Sequence, residues 1–305
     1  MYRSGVIALV GRPNAGKSTL LNSLLGQKVT ITSNKVQTTR YQVRGILSVP
    51  KRMQAILIDT PGLSKAQDAM GEFMVEESLS ALKDADVICW LIDASLPPGK
   101  GEIWLAEQVI AANKPFVMLL NKTDKLKDKN DSEARRLEYQ NLLAQMKVPP
   151  STKHQMLMIS ALTQKRIKSI EQAFLRLLPP GEAFYDEDTV TDQNIRQIAE
   201  ELIREQVMRQ TDEEIPHAIA VQITQFDESE SPEITRIYAN IYTETQSQKL
   251  ILVGEKGSKI KEIGTESRKT IEKLIEHKVF LDLQVKVKDN WRKDRNFLKS
   301  LGLSK

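Results

Sequence analysis

Residues 11–18 read Gly11-Arg12-Pro13-Asn14-Ala15-Gly16-Lys17-Ser18, and this stretch decides the fold of the first half of the chain. It matches the pattern GxxxxGK[ST], with an apolar run before it and a helical pattern after it, and the next residue, Thr19, is a further candidate for binding the same ligand. The glycines let successive backbone N–H groups turn inward around a phosphate. The lysine reaches phosphate oxygens, and the serine hydroxyl is placed for Mg²⁺. The sequence therefore predicts a phosphate-binding loop between a strand and a helix.

Short apolar runs alternate with helical patterns through the first 178 residues. The predicted strands are Val6–Val10, Arg40–Val49, Met53–Asp59, Ala85–Asp93, Pro115–Asn121 and Gln155–Ser160. The predicted helices are Lys17–Leu25, Met70–Lys83, Ile103–Ala112, Arg135–Gln145 and Ile167–Leu178. This order predicts a doubly wound, mostly parallel α/β domain with Arg40–Val49 as an antiparallel edge strand. Its ligand site is expected at the C-terminal ends of the strands.

The choice of base depends on Asn121-Lys122-Thr123-Asp124, which ends a predicted strand. A carboxylate at Asp124 can accept both N1–H and the exocyclic N2–H of guanine, whereas adenine would leave that charge unpaired. The stem of Lys122 can lie over the base. After the next strand, Ser160-Ala161-Leu162 offers a backbone N–H at Ala161 that can donate to O6. These features predict a guanine nucleotide.

Two further segments are candidates for sensing the γ-phosphate. In Asp59-Thr60-Pro61-Gly62, the aspartate is placed to hold a Mg²⁺-bound water and the N–H of Gly62 to meet the phosphate. In Gln37-Thr38-Thr39-Arg40, one threonine hydroxyl should complete the Mg²⁺ shell; we favour Thr39, with Thr38 as the alternative. The predicted metal ligands are Ser18, Thr39 and, through water, Asp59. The predicted catalytic groups are Lys17, Thr39 and Gly62.

Leu63 follows this turn, and the residue at this position affects the rate of GTP hydrolysis. In Ras-like enzymes a glutamine there orients the attacking water. Leucine has no polar group for that task, so slow intrinsic hydrolysis is expected.

The second half of the chain has a different order of elements. Asn194–Gln210 predicts a helix, and Ala218–Phe226, Ile234–Tyr242 and Val279–Val287 predict strands. Leu250–Val253 is interpreted as an apolar strand that leads into a glycine loop, with helices around Ser258–Ile263 and Glu266–His277 after it. The pattern predicts a small α+β domain. The expected boundaries are residues 1–178 and 194–290 for the two domains, 179–193 for a linker and 291–305 for a terminal helix.

The glycine loop Gly254-Glu255-Lys256-Gly257 matches GxxG, a pattern that needs its context to be informative. Glycines permit close approach to a nucleic-acid backbone, and neighbouring lysines supply charge. The candidate RNA-binding residues are Gly254, Glu255, Lys256, Gly257, Ser258, Lys259 and Lys261. The apolar side chains of Ile251, Val253, Ile260 and Ile263 either line a groove for bases or belong to the core, and the core is favoured. For Trp291 and Phe297, packing is favoured over stacking on RNA.

Composition and charge exclude some classes of protein. The chain has 305 residues, 40% hydrophobic and 28% charged, as in globular proteins, and the single Cys89 excludes an intramolecular disulfide. No run of about 18 apolar residues is present, so a cytosolic protein is expected. Residues 249–305 contain 15 Lys and Arg against 8 Asp and Glu, although the net charge of the whole chain is only +4. A basic end is typical of a polyanion-binding module or of a solvated surface.

The motifs together resemble those of the bacterial Era family of GTPases. The matching pieces are GRPNAGKS, QTTR, DTPGL, NKTD and SAL, then VGEKGSKIKEIG and the run Gln284-Val285-Lys286-Val287-Lys288. The resemblance covers roughly residues 4 to 303. It implies a translation-factor-type GTP-binding domain, with GTP and Mg²⁺, followed by a type II KH domain.

The resemblance also implies partners and a role. These are 16S ribosomal RNA near its 3′ end and the 30S subunit, whose maturation the protein would assist as a monomer. By the same resemblance, Asn14 would help to bind K⁺. The alternative is that Asn14 only stabilises the loop in which it lies. Contact with the inner face of the cell membrane is a further expectation, which no basic amphipathic helix here requires.

Two rival functions stay open at the level of sequence. One is an RNA-binding scaffold in which GTP is structural and hydrolysis incidental, which Leu63 keeps open. The other is a GTPase of transfer-RNA modification, which would need a catalytic cysteine or a cofactor site. Cys89, in the middle of an apolar strand, is a poor candidate for that cysteine.

Overall fold

The fold consists of two compact units. The structure is a computed structural model that describes residues 1–32, 35, 38–63, 66, 68–212, 214–228 and 234–303. Unit 1 takes in residues 1–30, 39–67 and 71–192. Unit 2 takes in residues 193–305 together with two short segments from the first half of the chain, 31–38 and 68–70. Of the predicted motifs, Gln37 alone lies outside the described residues.

Unit 1 contains a six-stranded sheet in the order β2-β3-β1-β4-β5-β6. The strands are β1 Arg3–Gly11, β2 Val43–Val49, β3 Met53–Asp59, β4 Val87–Asp93, β5 Phe116–Asn121 and β6 His154–Met158. The helices are α1 Lys17–Leu25, α2 Ala69–Asp84, α3 Lys100–Ala111, α4 Lys129–Gln145 and α5 Ile167–Leu177. Only the pairing of β2 with β3 is antiparallel, so the predicted antiparallel edge strand is confirmed, beginning at Val43 rather than Arg40.

The central strands of this sheet are buried on both faces, which explains their continuous apolar runs. Alternate side chains enter two separate hydrophobic clusters; Leu9 belongs to one and Val10 to the other. The parallel register sets Leu9 beside Asp59 and Asp93 beside Asn121. The carboxyl ends of β1, β3, β4 and β5 therefore meet along one edge.

Helix α4 begins six residues before the predicted start at Arg135. Its N-cap is Asp128, whose side chain accepts hydrogen bonds from the N–H groups of Asn130 and Asp131. The first turns are polar and exposed, so apolar periodicity gave no signal there.

Unit 2 contains a three-stranded sheet in the order β7-β8-β9, in which β7 and β8 are antiparallel and β8 and β9 are parallel. The strands are β7 Ala220–Asp227, β8 Ile234–Thr243 and β9 Lys278–Val287. The helices are α6 Ile195–Gln210, α7 Ile215–Ala218, α8 Gln246–Val253, α9 Ser258–Ile275 and α10 Arg295–Ser300. Its core joins apolar side chains of α6, α8 and α9 to those of all three strands.

The prediction of a strand at Leu250–Val253 is wrong, because these residues form the end of α8. A capping box starts that helix: the Thr245 hydroxyl accepts from the N–H of Gln248, whose side chain accepts from the N–H of Thr245. The two helices predicted after the glycine loop are also wrong as separate elements, because α9 runs through Gly264 without a break. A single glycine costs only about 1 kcal/mol in a helix, which packing offsets here.

The segments predicted as linker and terminal helix have contacts of their own. In residues 179–193, the N–H groups of Phe184 and Tyr185 donate to the side chain of Gln54, within unit 1. The terminal helix predicted from Trp291 is interrupted: Trp291–Lys293 is a short 3-10 turn, and α10 starts after the N-cap Asp294. Trp291 is fully buried, and its indole N–H donates to the carbonyl of Ala218 at 2.8 Å.

Cys89 lies in the buried core of unit 1, where burial raises the pKa of its thiol far above the ordinary value. Such a thiol is inert at neutral pH. Among the helices that the structure describes, none has both the length and the apolar character to span a bilayer.

Candidate nucleotide site and nucleic-acid groove

The loop between β1 and α1 has the backbone shape that its sequence predicts for an anion cradle. Asn14 and Gly16 both adopt positive φ, and Gly16 leaves no room for a Cβ because the amide of Asn121 lies against it. The ammonium of Lys17 turns back into the loop and donates to the carbonyls of Gly11 at 3.1 Å and Arg12 at 3.3 Å. Burial lowers the pKa of Lys17 to about 8, an effect that the charge of Asp59 opposes. Pro13, Ala15 and Thr19 complete the loop and the first turn of α1.

Three oxygen-bearing side chains converge beside this loop. The hydroxyl of Ser18 donates to Asp59 Oδ2 at 2.7 Å, and that of Thr39 donates to the same oxygen at 3.0 Å. The two hydroxyl oxygens are 2.9 Å apart. Burial raises the pKa of Asp59, while Lys17 and the two hydroxyl hydrogen bonds oppose that shift. The other carboxylate oxygen, Asp59 Oδ1, is buried and has no hydrogen-bond partner within the described part of the chain.

The neighbouring threonines differ in direction. Thr39 Oγ1 joins the Ser18 and Asp59 cluster, whereas Thr38 Oγ1 donates to the carbonyl of Lys35 at 2.8 Å. Only Thr39 therefore has its hydroxyl at the phosphate loop.

The turn after β3 approaches the phosphate loop closely. The Thr60 hydroxyl donates to the carbonyl of Leu9, and a Cβ at Gly62 would lie 2.7 Å from the backbone of Pro13. Pro61 accepts a hydrogen bond from Ser78 on α2. Leu63 is 2% exposed and its side chain packs into the apolar core of unit 1, while its backbone N–H donates to the carbonyl of Gly11.

The predicted base-binding residues form one connected group. The side-chain amide of Asn121 donates to the carbonyl of Ala15 at 2.8 Å and accepts from the N–H of Ala161 at 2.9 Å. The hydroxyl of Ser160 donates to the carboxylate of Asp124. The N–H of Ala161 donates to Asn121 in this structure, and its contact with O6 of guanine stays a prediction. Asn121 thus holds two loops together.

Asp93 is a residue of this site that the motif analysis missed. Its carboxylate accepts from Lys122 Nζ at 2.6 Å and from Ser95. Burial alone would raise the pKa of Asp93, but hydrogen bonds from Lys122 and Ser95 outweigh it and lower the pKa. The contact with Asp93 holds the ammonium of Lys122 and so restricts its aliphatic stem to the region of Asn121–Asp124, where the base is predicted to bind. The signal that could have found Asp93 is its position at the end of β4, level with Asn121.

The glycine loop of unit 2 is a tight connection between α8 and α9. Gly254, Lys256 and Gly257 all have positive φ, and a Cβ at Gly254 would lie 2.9 Å from the backbone nitrogen of Lys259. Glu255, Lys256, Ser258 and Lys261 are exposed; Lys259 lies 3.8 Å from Glu262.

A groove of about 730 Å³ runs beside this loop, between α9 and the free edge of β9. Of the predicted residues, Ile260 and Lys261 line it, whereas Ile263 is fully buried in the core and Ile251 is 56% exposed on α8. Several other lining residues belong to no motif in the sequence: Arg268, Lys278, Phe280 and Asp282. Strand residues of alternating polarity gave no signal for a groove.

Comparison with known proteins follows the same division. A family model described as a 50S ribosome-binding GTPase matches residues 6–122, and one described as a KH domain matches residues 214–292. The chain is 40% identical over 306 residues to GTPase Era of Ruminiclostridium cellulolyticum, covering 99% of this chain and 97% of that protein. It is 39% identical over 301 residues to GTPase Era of Geobacter metallireducens, covering 99% and 98%.

Two solved structures resemble the whole chain at 34% identity. One is an Aquifex aeolicus Era variant bound to GDP and AlF4⁻, with a TM-score of 0.91 and coverage of 99% of this chain and 100% of that chain. The other is Era in complex with MgGDPNP and nucleotides 1506–1542 of 16S ribosomal RNA, with a TM-score of 0.92 and full coverage of both chains.

Fold and site together define a P-loop GTPase that carries a C-terminal KH domain. GTP and Mg²⁺ are the ligands of such a site. Within that class, the full-length identity shows that the chain belongs to the GTPase Era family.

Proposed function

We propose that this protein is a GTP-controlled RNA-binding switch that engages 16S ribosomal RNA near its 3′ end and assists maturation of the 30S subunit. One observation carries the proposal: the neighbour solved with that RNA matches this chain over its full length. The description naming the 50S subunit belongs to a match that covers the GTP-binding half only. In this proposal the protein works as a cytoplasmic monomer, with any membrane contact peripheral.

The nucleotide contacts in this proposal follow the geometry of unit 1. The backbone N–H groups of residues 11–18 surround the β-phosphate, and Lys17 adds its charge to the β- and γ-oxygens. Asp124 accepts from guanine, and Ser160 holds that carboxylate in place. The stem of Lys122 lies over the base while Asp93 anchors its ammonium.

The cluster of Ser18, Thr39 and Asp59 fits Mg²⁺. Hydroxyl and carboxylate oxygens are the ligands that this hard cation prefers. The orphaned Asp59 Oδ1 is a buried acceptor that a metal-bound water would satisfy. When bound, Mg²⁺ neutralises charge on the phosphates. In this assignment Thr39, and not Thr38, is the threonine ligand.

Hydrolysis then depends on charge stabilisation more than on water positioning. Lys17 and the N–H of Gly62 face the γ-phosphate, where negative charge is spread in the transition state. Leu63 is packed in the core and supplies no group to orient water. We therefore expect slow turnover by the protein alone.

Asn14 is the candidate K⁺ ligand in this loop, with positive φ and an exposed side chain. Turnover measured in K⁺ buffer should exceed turnover in Na⁺ buffer of equal ionic strength. Equal rates would leave Asn14 with the loop-stabilising role alone.

RNA binding is assigned to unit 2. The GxxG loop contacts the backbone of about four single-stranded nucleotides in KH modules. Here α9 follows that loop directly, and its residues Ile260, Lys261 and Arg268 line the groove in which we place the bases. The positive charge of residues 249–305 suits a polyanion.

Crosslinking in cells, followed by sequencing of the bound RNA, tests this function. The wild-type chain should enrich sites near the 3′ end of 16S RNA, and Gly254→Asp, which adds a negative charge to the loop, should lose them. An unchanged crosslink pattern in Gly254→Asp would mean that the RNA surface lies elsewhere. Enrichment of 23S RNA instead would favour the large subunit.

A further inference from the structure

A buried arginine on α6 has no part in the sites described so far. Arg204 is 2% exposed, although its guanidinium carries a permanent charge. Its Nε donates to Glu201 Oε1 at 2.9 Å, its Nη2 to Glu201 Oε2 at 2.5 Å, and its Nη1 to the sulfur of Met208 at 3.3 Å. Burying an ion pair is costly unless its hydrogen bonds are satisfied.

Arg204 makes one further hydrogen bond, to a residue outside helix α6. Arg204 Nη2 also donates to the backbone carbonyl of Thr38. Thr38 belongs to segment 31–38, which forms part of unit 2 although it lies far away in sequence.

The rest of segment 31–38 is attached to the same helix and its C-terminal end. Ile31 is 2% exposed and packs in the core of unit 2. The N–H of Thr32 donates to Glu205 at 3.3 Å, and Lys35 donates to the carbonyl of Thr211 and to Asp212. The described residues of the segment, Ile31, Thr32, Lys35 and Thr38, therefore all contact unit 2, and Arg204 bonds the one that precedes Thr39.

The residue that follows is the proposed magnesium ligand. The carbonyl of Thr38 is bonded by Arg204, while the hydroxyl of Thr39, one peptide bond later, is bonded to Asp59 and Ser18. A carbonyl and the next Cα share a peptide plane. Fixing the carbonyl of Thr38 therefore restricts where the Thr39 hydroxyl can point.

We propose that Arg204 is a positioning residue for the GTP site: it holds the Thr38 carbonyl and so presents the Thr39 hydroxyl for Mg²⁺. Glu201 acts one step behind it by orienting the guanidinium. This inference rests on the proposed role of Thr39 as a metal ligand.

The experiment compares Arg204→Gln, Thr39→Ala and a control, Arg196→Gln. Arg196 lies on α6 and carries the same charge, but its guanidinium donates to the carbonyl of Ile223 and to none of the described residues of segment 31–38. The readout is the Mg²⁺ concentration that gives half-maximal affinity for a non-hydrolysable GTP analogue. Outer partners of metal ligands typically change metal affinity about tenfold or more. Arg204→Gln should raise the required Mg²⁺ by about tenfold, and Arg196→Gln should leave it unchanged.

A second readout needs no nucleotide. Amide hydrogen exchange of a peptide covering residues 38–40 should accelerate in Arg204→Gln and stay unchanged in Arg196→Gln. If Arg204→Gln does not fold, Arg204→Lys takes its place. Lysine keeps the positive charge beside Glu201 but lacks the planar guanidinium. We then expect a smaller rise in the required Mg²⁺ concentration and a smaller acceleration of amide exchange.

The outcomes separate this inference from the role of Thr39. If Thr39→Ala raises the Mg²⁺ requirement while a folded Arg204 variant changes neither readout, the inference about Arg204 is overturned and the metal ligand stands. If Thr39→Ala has no effect, the assignment of Thr39 fails first.

Discussion

Asp124 is the residue that we propose selects the base at the nucleotide site. Its carboxylate accepts a hydrogen bond from Ser160, and in the proposal it also accepts from N1–H and N2–H of guanine. Asp124→Asn replaces one acceptor oxygen with an N–H donor, which opposes the guanine N2–H but matches the O2 of xanthine. We expect the affinity for GTP to fall by at least about 100-fold and that for XTP to rise. Titration with both nucleotides checks this, and unchanged GTP affinity would exclude Asp124 from base recognition.

Glu200 on α6 makes the stability of unit 2 depend on pH. Burial raises its pKa to about 7, although a hydrogen bond from the Ile223 N–H opposes the shift. Because this folded-state pKa exceeds the unfolded value near 4.5, the folded state retains the proton longer. The contribution to stability is therefore greatest below about pH 4.5 and is lost as the pH rises through about 7.

The variant Glu200→Gln should accordingly stabilise the protein at pH 8, by up to about 2 kcal/mol, and have little effect at pH 5. Glutamine can still accept from the Ile223 N–H, so only the titration is removed. Urea unfolding at both pH values measures the difference. An equal effect at the two pH values would mean that Glu200 titrates normally.

At the scale of elements, the glycine loop between α8 and α9 offers a matched pair of substitutions. Gly254 and Gly257 both have positive φ, but a Cβ at Gly254 would approach the backbone of Lys259, whereas that at Gly257 would meet open space. Gly254→Ala should therefore distort the loop and weaken binding of an RNA oligonucleotide more than Gly257→Ala. The latter should cost only about 1–2 kcal/mol of local strain. Equal losses of RNA affinity would show that loop shape is not what RNA reads.

The packing of the C-terminal segment on unit 2 depends on the buried side chain of Trp291. Trp291→Phe removes its hydrogen bond to the buried Ala218 carbonyl and should destabilise unit 2 by about 1–3 kcal/mol. Trp104 on α3 is 37% exposed, so Trp104→Phe serves as the control and should change stability by less than about 0.5 kcal/mol. Chemical unfolding of the two variants checks this; similar losses would mean that the bond to Ala218 contributes little.

The sequence predicted best those elements that have a clear apolar pattern or a motif that marks where they begin or end. Helix α1 and strand β3 have the predicted bounds because the phosphate motif defines the start of the helix and a mostly apolar run defines the strand. Helix α8 was misread because Leu250–Val253 is a short apolar run, which periodicity alone does not assign to helix or strand. Its deciding signal was the pair Thr245 and Gln248, which forms a capping box before the apolar run.

At the scale of the whole molecule, the motifs predicted which residues meet at the nucleotide but not what holds them. Ser18, Thr39 and Asp59 converge as their spacing indicates. The attachment of segment 31–38 to α6 depends on contacts such as Arg204 to Thr38, separated by 166 residues. No local pattern encodes a contact of that span, so Arg204 had no signal beyond being a charged residue in an amphipathic helix.

The two segments of unit 2 taken from the first half of the chain flank residues of the nucleotide site. Segment 31–38 precedes Thr39, and segment 68–70 follows the turn at Gly62; Asp68 pairs with Arg292 at 2.8 Å within unit 2. A ligand can bias a two-state element only if it binds one state better. GTP differs from GDP in the γ-phosphate, and in the proposed switch these two segments are the parts of unit 2 that are nearest in sequence to the residues proposed to contact that phosphate.

The most direct test measures the affinity of the full-length protein for an RNA oligonucleotide from the 3′ end of 16S RNA. The protein is loaded either with GDP or with a non-hydrolysable GTP analogue, each with saturating Mg²⁺ at one fixed salt concentration. Allosteric coupling of the usual size changes affinity by about 5- to 150-fold, and we expect tighter binding with the GTP analogue. Equal affinities would contradict the switch and favour a scaffold in which GTP is structural.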